Sequence, residues 1–199
     1  MPAIILAAGE SSRLGRPKAM IQIGGQTLLW WAYIGLRNAG CAPIFVVVPP
    51  ALANIAQHLL PDANIIENPI PERGRTGSLQ LGLSGLESID ACLDAGVMMA
   101  PIDRPGWNAD VILKLQSQTG SSCPINAGQR GHPVFIDPED IDRIKGADPS
   151  SILRDLVSFS GVEVDAPWLT LNVDTEEDVT HLLANESSFL HYLKGSEGI

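Results

Sequence analysis

The residues best equipped for chemistry follow a short apolar run near the start of the chain, in LAAGESSRLGRPK, residues 6–18. Small residues and Gly9 let backbone N–H groups approach a ligand, while Ser11, Ser12, Arg13 and Lys18 add donors that can cradle phosphate oxygens. The segment is not a Walker A loop, which needs Gly-Lys-Ser/Thr, because Lys18 stands between Pro17 and Ala19. It also lacks the GxGxxG of a dinucleotide site, which argues against an NAD-dependent oxidoreductase. Of the 13 Lys and Arg in this 199-residue chain, six fall in three short segments: Arg13, Arg16 and Lys18; Arg73 and Arg75; and Arg104. The formal net charge is −10. An acidic protein that gathers cations into a few loops suits a small anionic ligand, and it lacks the basic stripe of a nucleic-acid surface.

Those loops need a scaffold that brings them together. AIILAA (3–8), PIFVVVP (43–49) and GVMMAPI (96–102) are continuous apolar runs, as in parallel strands buried on both faces. Further strands are predicted over 64–67, 123–127, 133–136, 162–165 and 170–173. Helices are predicted over 51–60, 76–93, 109–118, 138–145, 150–158 and 176–187. Another is capped by Thr27 and runs to Gly40, a C′ glycine. Leu79, Leu83, Leu86 and Ile89 supply the helical spacing of the 76–93 segment. Strands alternating with helices predict a three-layer α/β sandwich of Rossmann-like type around a mainly parallel, mixed sheet. With no repeat, low-complexity tract or linker, residues 1–199 read as one domain, of a size that buries about 70% of its unfolded surface. In such sheets ligands sit beyond the carboxyl ends of the strands. Three chemically loaded segments directly follow a predicted strand: 9–18, 103–106 and 174–178.

Composition narrows the class. Hydrophobic residues at 45% and charged residues at 18% exclude a disordered chain. No stretch approaches the roughly 20 apolar residues of a membrane span, and residues 2–8 lack a basic leader. Cys41, Cys92 and Cys123 form no CxxC pair, so neither a disulfide framework nor a zinc site is expected. The expectation is a soluble, cytoplasmic protein.

LAAGESSRLGRPK resembles the signature of the MobA-like nucleotidyltransferases, in particular the branch of molybdenum cofactor cytidylyltransferases. RTGSLQLGL (75–83), PIDRP (101–105), GHPVFI (131–136) and NVDTEED (172–178) resemble further motifs of that family, in the family's order. The resemblance implies a fold related to that of nucleotide-diphospho-sugar transferases. It also implies Mg²⁺-dependent transfer of a nucleotidyl group from a nucleoside triphosphate to a small phosphate acceptor, with release of pyrophosphate. Matching motif positions put Leu6, Ala7, Ala8 and Gly9 against the nucleotide, Arg13 and Lys18 on its phosphates and Ser78 near the base. They make Asp103 and Asp174 the metal ligands, with Arg13, Lys18 and Asp103 as catalytic groups. His132, between Gly131 and Pro133, would face the acceptor, although an ordinary loop histidine fits the residues as well.

Elementary chemistry agrees with those roles. Phosphoryl chemistry needs positioning and charge neutralisation more than covalent help. Mg²⁺ accepts one or two carboxylates, completed by phosphate oxygens and water. The segment around Asp174 is equally a good helix start, with Glu177 placed for a capping interaction. Trp30 and Trp31 read as core or oligomer contacts. Arg104 departs from the cytidylyltransferase pattern, which often carries an uncharged residue such as Gln there. Ala7-Ala8-Gly9 resembles the cytidylyl branch more than the guanylyl branch and favours CTP, with a molybdopterin-type acceptor. Two alternatives remain: transfer to a sugar or polyol phosphate, and a non-catalytic nucleotide or cofactor carrier serving a molybdoenzyme partner.

Overall fold

The computed structural model describes residues 1–9 and 13–195. Every residue of the first strand, β1 (Ala3–Leu6), is buried, and its side chains alternate between two separate cores. A two-stranded hairpin, β2 (Gln22–Ile23) and β3 (Gln26–Thr27), leads into α1 (Leu28–Asn38). Next come β4 (Ile44–Val48), α2 (Pro50–Leu59), β5 (Asn64–Glu67), α3 (Gly74–Ser88), β6 (Val97–Pro101) and α4 (Ala109–Gln116). The remaining third contains β7 (Ser122–Asn126), β8 (Gln129–Arg130), β9 (Val134–Ile136), α5 (Pro138–Gly146), α6 (Leu153–Leu156), β10 (Ser160–Glu163), α7 (Glu176–Ala184) and α8 (Glu186–Lys194).

Eight strands form one sheet in the order β10-β7-β9-β6-β1-β4-β5, with β8 attached to β7. The β6-β1-β4-β5 half is parallel, and β9 is antiparallel to both β6 and β7. On one face, Ala3 and Ile5 pack with apolar residues of α1, α2, α4, α7 and α8. On the other, Ile4 and Leu6 pack with α3, α5 and α6. The result is the expected α/β/α sandwich. Helix α3 lies so close to β1 that a Cβ at Gly82 would come within 2.6 Å of Ile4 Cγ2. Among the described residues no helix is long and apolar enough to cross a membrane.

Thr27 caps α1, accepting a hydrogen bond from the Trp30 N–H, and Gly40 follows the helix at φ +76°. Trp30 and Trp31 pack against the core edge to face at 4.9 Å, and Trp31 Nε1 donates to the Ile23 carbonyl. Several expectations need correction. Residues 170–173 form no strand; Thr170 ends a turn and 171–173 run on as irregular chain, with the Leu171 N–H on the Trp168 carbonyl. The helix expected over 150–158 shortens to Leu153–Leu156, because Val157 at its end is already extended. The strand expected over 162–165 is shifted to Ser160–Glu163. The last helix divides at Asn185, whose backbone (φ −112°, ψ 17°) closes α7 and opens α8.

Connectivity marks one place on the sheet for a ligand. From β1 the chain builds outward through β4 and β5, then returns to add β6 on the other side of β1. The crevice beyond the carboxyl ends of β1 and β6 is therefore the topological switch point, where open α/β sheets bind ligands.

Candidate active site

Leu6 pairs with Pro101 in the parallel β1–β6 ladder, so both strands release their chains side by side at one edge. A cavity of about 360 Å³ opens there, lined among others by Leu6, Ala8, Gly9, Lys18, Arg75, Ser78 and Asp103. Two larger hollows, about 670 and 520 Å³, flank α4 and α8, and neither is lined by Asp103 or by any residue of 6–18. Ala7 turns its side chain to the α1 core and donates its N–H to the Val47 carbonyl at 2.8 Å, so it holds the strand end rather than the cavity wall. Arg13 is exposed and lies outside the lining. Ser11 and Ser12 fall outside the described residues.

Lys18 opens a short 3₁₀ turn and is largely buried, with its ammonium on the Asp174 carboxylate. Asn172 Nδ2 donates to the same carboxylate at 2.5 Å. The Lys18 hydrogen bond, aided by Asn172 and opposed by partial burial, holds the Asp174 carboxyl below the usual aspartate range. The charge of the Asp174 carboxylate is therefore balanced by Lys18. Arg16 grips Glu176 through a two-pronged contact of 3.0 and 2.9 Å and ties the 13–18 loop to the start of α7. Both groups are exposed, so this pair orients the loop more than it stabilises the fold.

The start of α7 decides between the two readings of Asp174. Thr175 is the N-cap and Asp178 completes a capping box, accepting from the N–H groups of both Asp174 (2.9 Å) and Thr175 (2.7 Å). Asp178, not Glu177, supplies the box, because the helix begins one residue later than a Glu177 partner requires. The Asp174 side chain is thereby left to the Lys18 pair. Although no strand precedes it, Asp174 is tied to the Asp103 segment by the Val173 N–H, which donates to the Asp103 carbonyl at 2.9 Å.

Asp103 lies in the turn just after β6, with its Oδ1 buried and without a hydrogen-bond partner among the described residues; Asn172 Oδ1 is in the same condition. A buried carboxylate oxygen left bare is costly unless something else meets it. The oxygen-only donor set suits a hard divalent cation that completes its shell with phosphate and water. No cluster of three or more His, Cys, Asp or Glu capable of holding a metal occurs among the described residues.

Ser78 is nearly buried on α3, where its hydroxyl donates to the Gly74 carbonyl (3.1 Å) and accepts from Asn68 Nδ2 (3.0 Å). Its hydroxyl is thus spent on fixing the first turn of α3. His132 lies next to the cavity through Arg75, whose Nη1 is 3.1 Å from His132 Nε2. Burial, reinforced by the Arg75 and Arg104 guanidiniums, pushes the imidazole down to about 3. Sequence reasoning missed Asn68 and Asn172, although Asn172 stands inside NVDTEED, a motif already singled out.

A family profile described as MobA-like NTP transferase domain matches residues 3–166. The chain is 32% identical over 128 residues to a 2-C-methyl-D-erythritol 4-phosphate cytidylyltransferase of Rhodococcus opacus (strain B4), a match covering 62% of this chain and 54% of the relative. It is 31% identical over 121 residues to a "Probable molybdenum cofactor guanylyltransferase" of Mycobacterium tuberculosis (strain ATCC 25618 / H37Rv), covering 58% and 54%. The chain spans about half the length of the curated relatives it matches. The solved structure of Rv0371C from Mycobacterium tuberculosis H37Rv, a complex with manganese, shares the fold. Its TM-score is 0.74 over 92% of this chain and 97% of that one, at 19% identity.

Proposed function

The chain belongs to the MobA-like NTP transferase family, and from that premise we propose that it transfers CMP from CTP to a phosphate-bearing acceptor of the molybdopterin type, releasing pyrophosphate. The observation that carries this reading is the bare, buried Asp103 Oδ1 beside Lys18 in the crevice between β1 and β6. Residues 1–199 act as one catalytic domain in this reading.

Asp103 and Asp174 would hold a divalent ion, Mg²⁺ by preference, with Asn172 orienting Asp174. When bound, the ion supplies charge neutralisation for the triphosphate and the departing pyrophosphate. Lys18 and Arg13 bind phosphate oxygens, Lys18 as a compact ammonium already placed by Asp174. Leu6, Ala8 and Gly9 form the wall against the nucleotide, and Ala7 fixes the strand end beneath it. With the Ser78 hydroxyl engaged, the pyrimidine edge would be met by backbone N–H groups near the start of α3. The preference for CTP rests on Ala7-Ala8-Gly9 and on the cytidylyltransferase relative, set against the guanylyltransferase relative. A polyol phosphate acceptor is the second reading, favoured by that same cytidylyltransferase match.

The test is pyrophosphate release from each nucleoside triphosphate with Mg²⁺ and a panel of phosphate acceptors. CTP with a pterin phosphate should give the highest kcat/KM. Equal turnover of GTP overturns the base assignment, and turnover confined to a polyol phosphate selects the second reading.

A further inference from the structure

Arg75, Arg104 and His132 come from three separate elements: the start of α3, the loop after β6 and the segment before β9. They converge beside the cavity. Arg75 lines it and touches His132, and both guanidiniums are near enough to act on the His132 ring. Arg104 follows Asp103 directly, and its Nη1 reaches the Thr170 carbonyl at 3.5 Å. Among the described residues neither guanidinium forms an ion pair, in a chain that carries 23 Asp and Glu. Arg104 is felt by the Asp174 carboxylate, but the two guanidiniums still meet around one ring and repel each other there, and an anion between them removes that repulsion.

We infer that Arg75, Arg104 and His132 form a clamp for the acceptor's own phosphate monoester, distinct from the Lys18 cradle that receives the nucleotide's triphosphate. This inference rests on the nucleotidyl-transfer reading and names the substrate feature that the same site recognises. The acceptor dianion must approach an already anionic nucleotide, so cations are needed on its side of the α-phosphate as well. Arginine suits that task, because its planar fork binds two phosphate oxygens at once. His132 plays a different part. An arginine has no acceptor atom, so its contact with Nε2 requires that nitrogen to accept, which leaves the ring proton on Nδ1. His132 is therefore a positioning residue: neutral, it steers Arg75 without adding a third charge, in keeping with its lowered basicity.

The probe is inorganic phosphate, titrated calorimetrically into the full chain preloaded with Mg²⁺ and an α,β-methylene analogue of CTP, which occupies the nucleotide cradle. The loaded wild type should bind one phosphate. Arg75→Gln and Arg104→Gln should each weaken that binding about ten- to a hundredfold, the loss expected for one charge-assisted hydrogen bond. Affinity for the Mg²⁺–analogue complex should stay within about twofold. His132→Asn, which keeps an acceptor for Arg75, should hold phosphate better than His132→Leu. Phosphate that fails to bind the loaded protein, or binds both arginine variants as it binds the wild type, overturns the clamp. Variants that lose the analogue instead assign these arginines to the nucleotide, which also overturns it. Failure of the wild type to bind the analogue is the separate result that overturns the nucleotidyl-transfer reading itself.

Discussion

Asp103→Asn keeps the shape of the side chain in the turn after β6 and removes its charge. The Asp103 Oδ1 is buried with no hydrogen-bond partner among the described residues. A polar group in that state costs about 1–3 kcal/mol, and more when charged. Neutralising it should raise the stability of the ligand-free protein by about 1 kcal/mol. For a chain of this length that corresponds to a Tm higher by about 2–4 °C. The effect on the ligated protein has the opposite sign. CTP with Mg²⁺ at a hundred times its Kd adds about 2.7 kcal/mol to the wild type, a further rise of about 5–10 °C. The variant should show little of that rise, because it lacks one of two carboxylates for the ion. Turnover should fall by at least about a hundred- to a thousandfold, the scale of losing one electrostatic contact to developing charge. Thermal unfolding of both proteins, with and without Mg²⁺ and CTP, gives the first two quantities, and pyrophosphate release gives the third. A ligand-free Tm below the wild type, or a ligand-induced rise that survives the substitution, would refute the assignment of the bare oxygen to a cation.

The depressed carboxyl of Asp174 contributes stability that is present above the ordinary aspartate range and is lost as pH falls through its lowered folded value. Acid titration of unfolding should therefore show a loss in the wild type that is flattened in Asp174→Asn and in Lys18→Ala. Lys18→Ala should in addition lower kcat/KM about ten- to a hundredfold at neutral pH. Wild-type acid behaviour in both variants would mean that the pair does not form. Gly106→Ala tests the backbone beside the site, since the added Cβ would stand 1.7 Å from the Trp168 carbonyl oxygen. Backbone cannot yield as a side-chain tip does, so a loss of about 1–3 kcal/mol or more in chemical denaturation is expected, and a Tm equal to wild type would contradict the packing.

The parts of the fold legible in the sequence are those whose signal is local. The β1, β4 and β6 strands are buried on both faces and so appear as unbroken apolar runs. The ends of α1 follow from Thr27 and Gly40, whose side chain and backbone freedom act within one turn. The β2–β3 hairpin also carries a local signal, one that a search for apolar runs misses. Gly24 and Gly25 sit between the paired residues Ile23 and Gln26, both at positive φ, as a tight two-residue turn requires. Residues 170–173 show the opposite failure. Leu169, Leu171 and Val173 alternate as a strand would, yet Leu169 and Leu171 close turns on Ala166 and Trp168. The Val173 N–H finds its partner in the Asp103 carbonyl rather than in a neighbouring strand. That choice depends on the loop after β6, a feature no window around residue 173 contains.

The same distinction runs through the site. Lys18, Asp103 and Asp174 can be picked out by residue type and by their place in loops, but their relations cannot. Lys18 and Asp174 lie 156 positions apart, and Arg75 and His132 lie 57 apart. No periodicity or spacing links such pairs; only the return of the chain to one sheet edge does. Asp174 is the sharpest case. As a sequence, NVDTEED offers several acidic groups to one helix start, and each is chemically fit to cap it. In the fold, Asp178 accepts from two N–H groups and occupies that position, while Lys18 and Asn172 draw the Asp174 carboxylate away from the helix. The helix start thereby satisfies itself from within α7. The Val173 hydrogen bond ties the Asp174 segment to that of Asp103, and in the proposed reading the two carboxylates would hold the ion there while Lys18 turns from Asp174 to the phosphates.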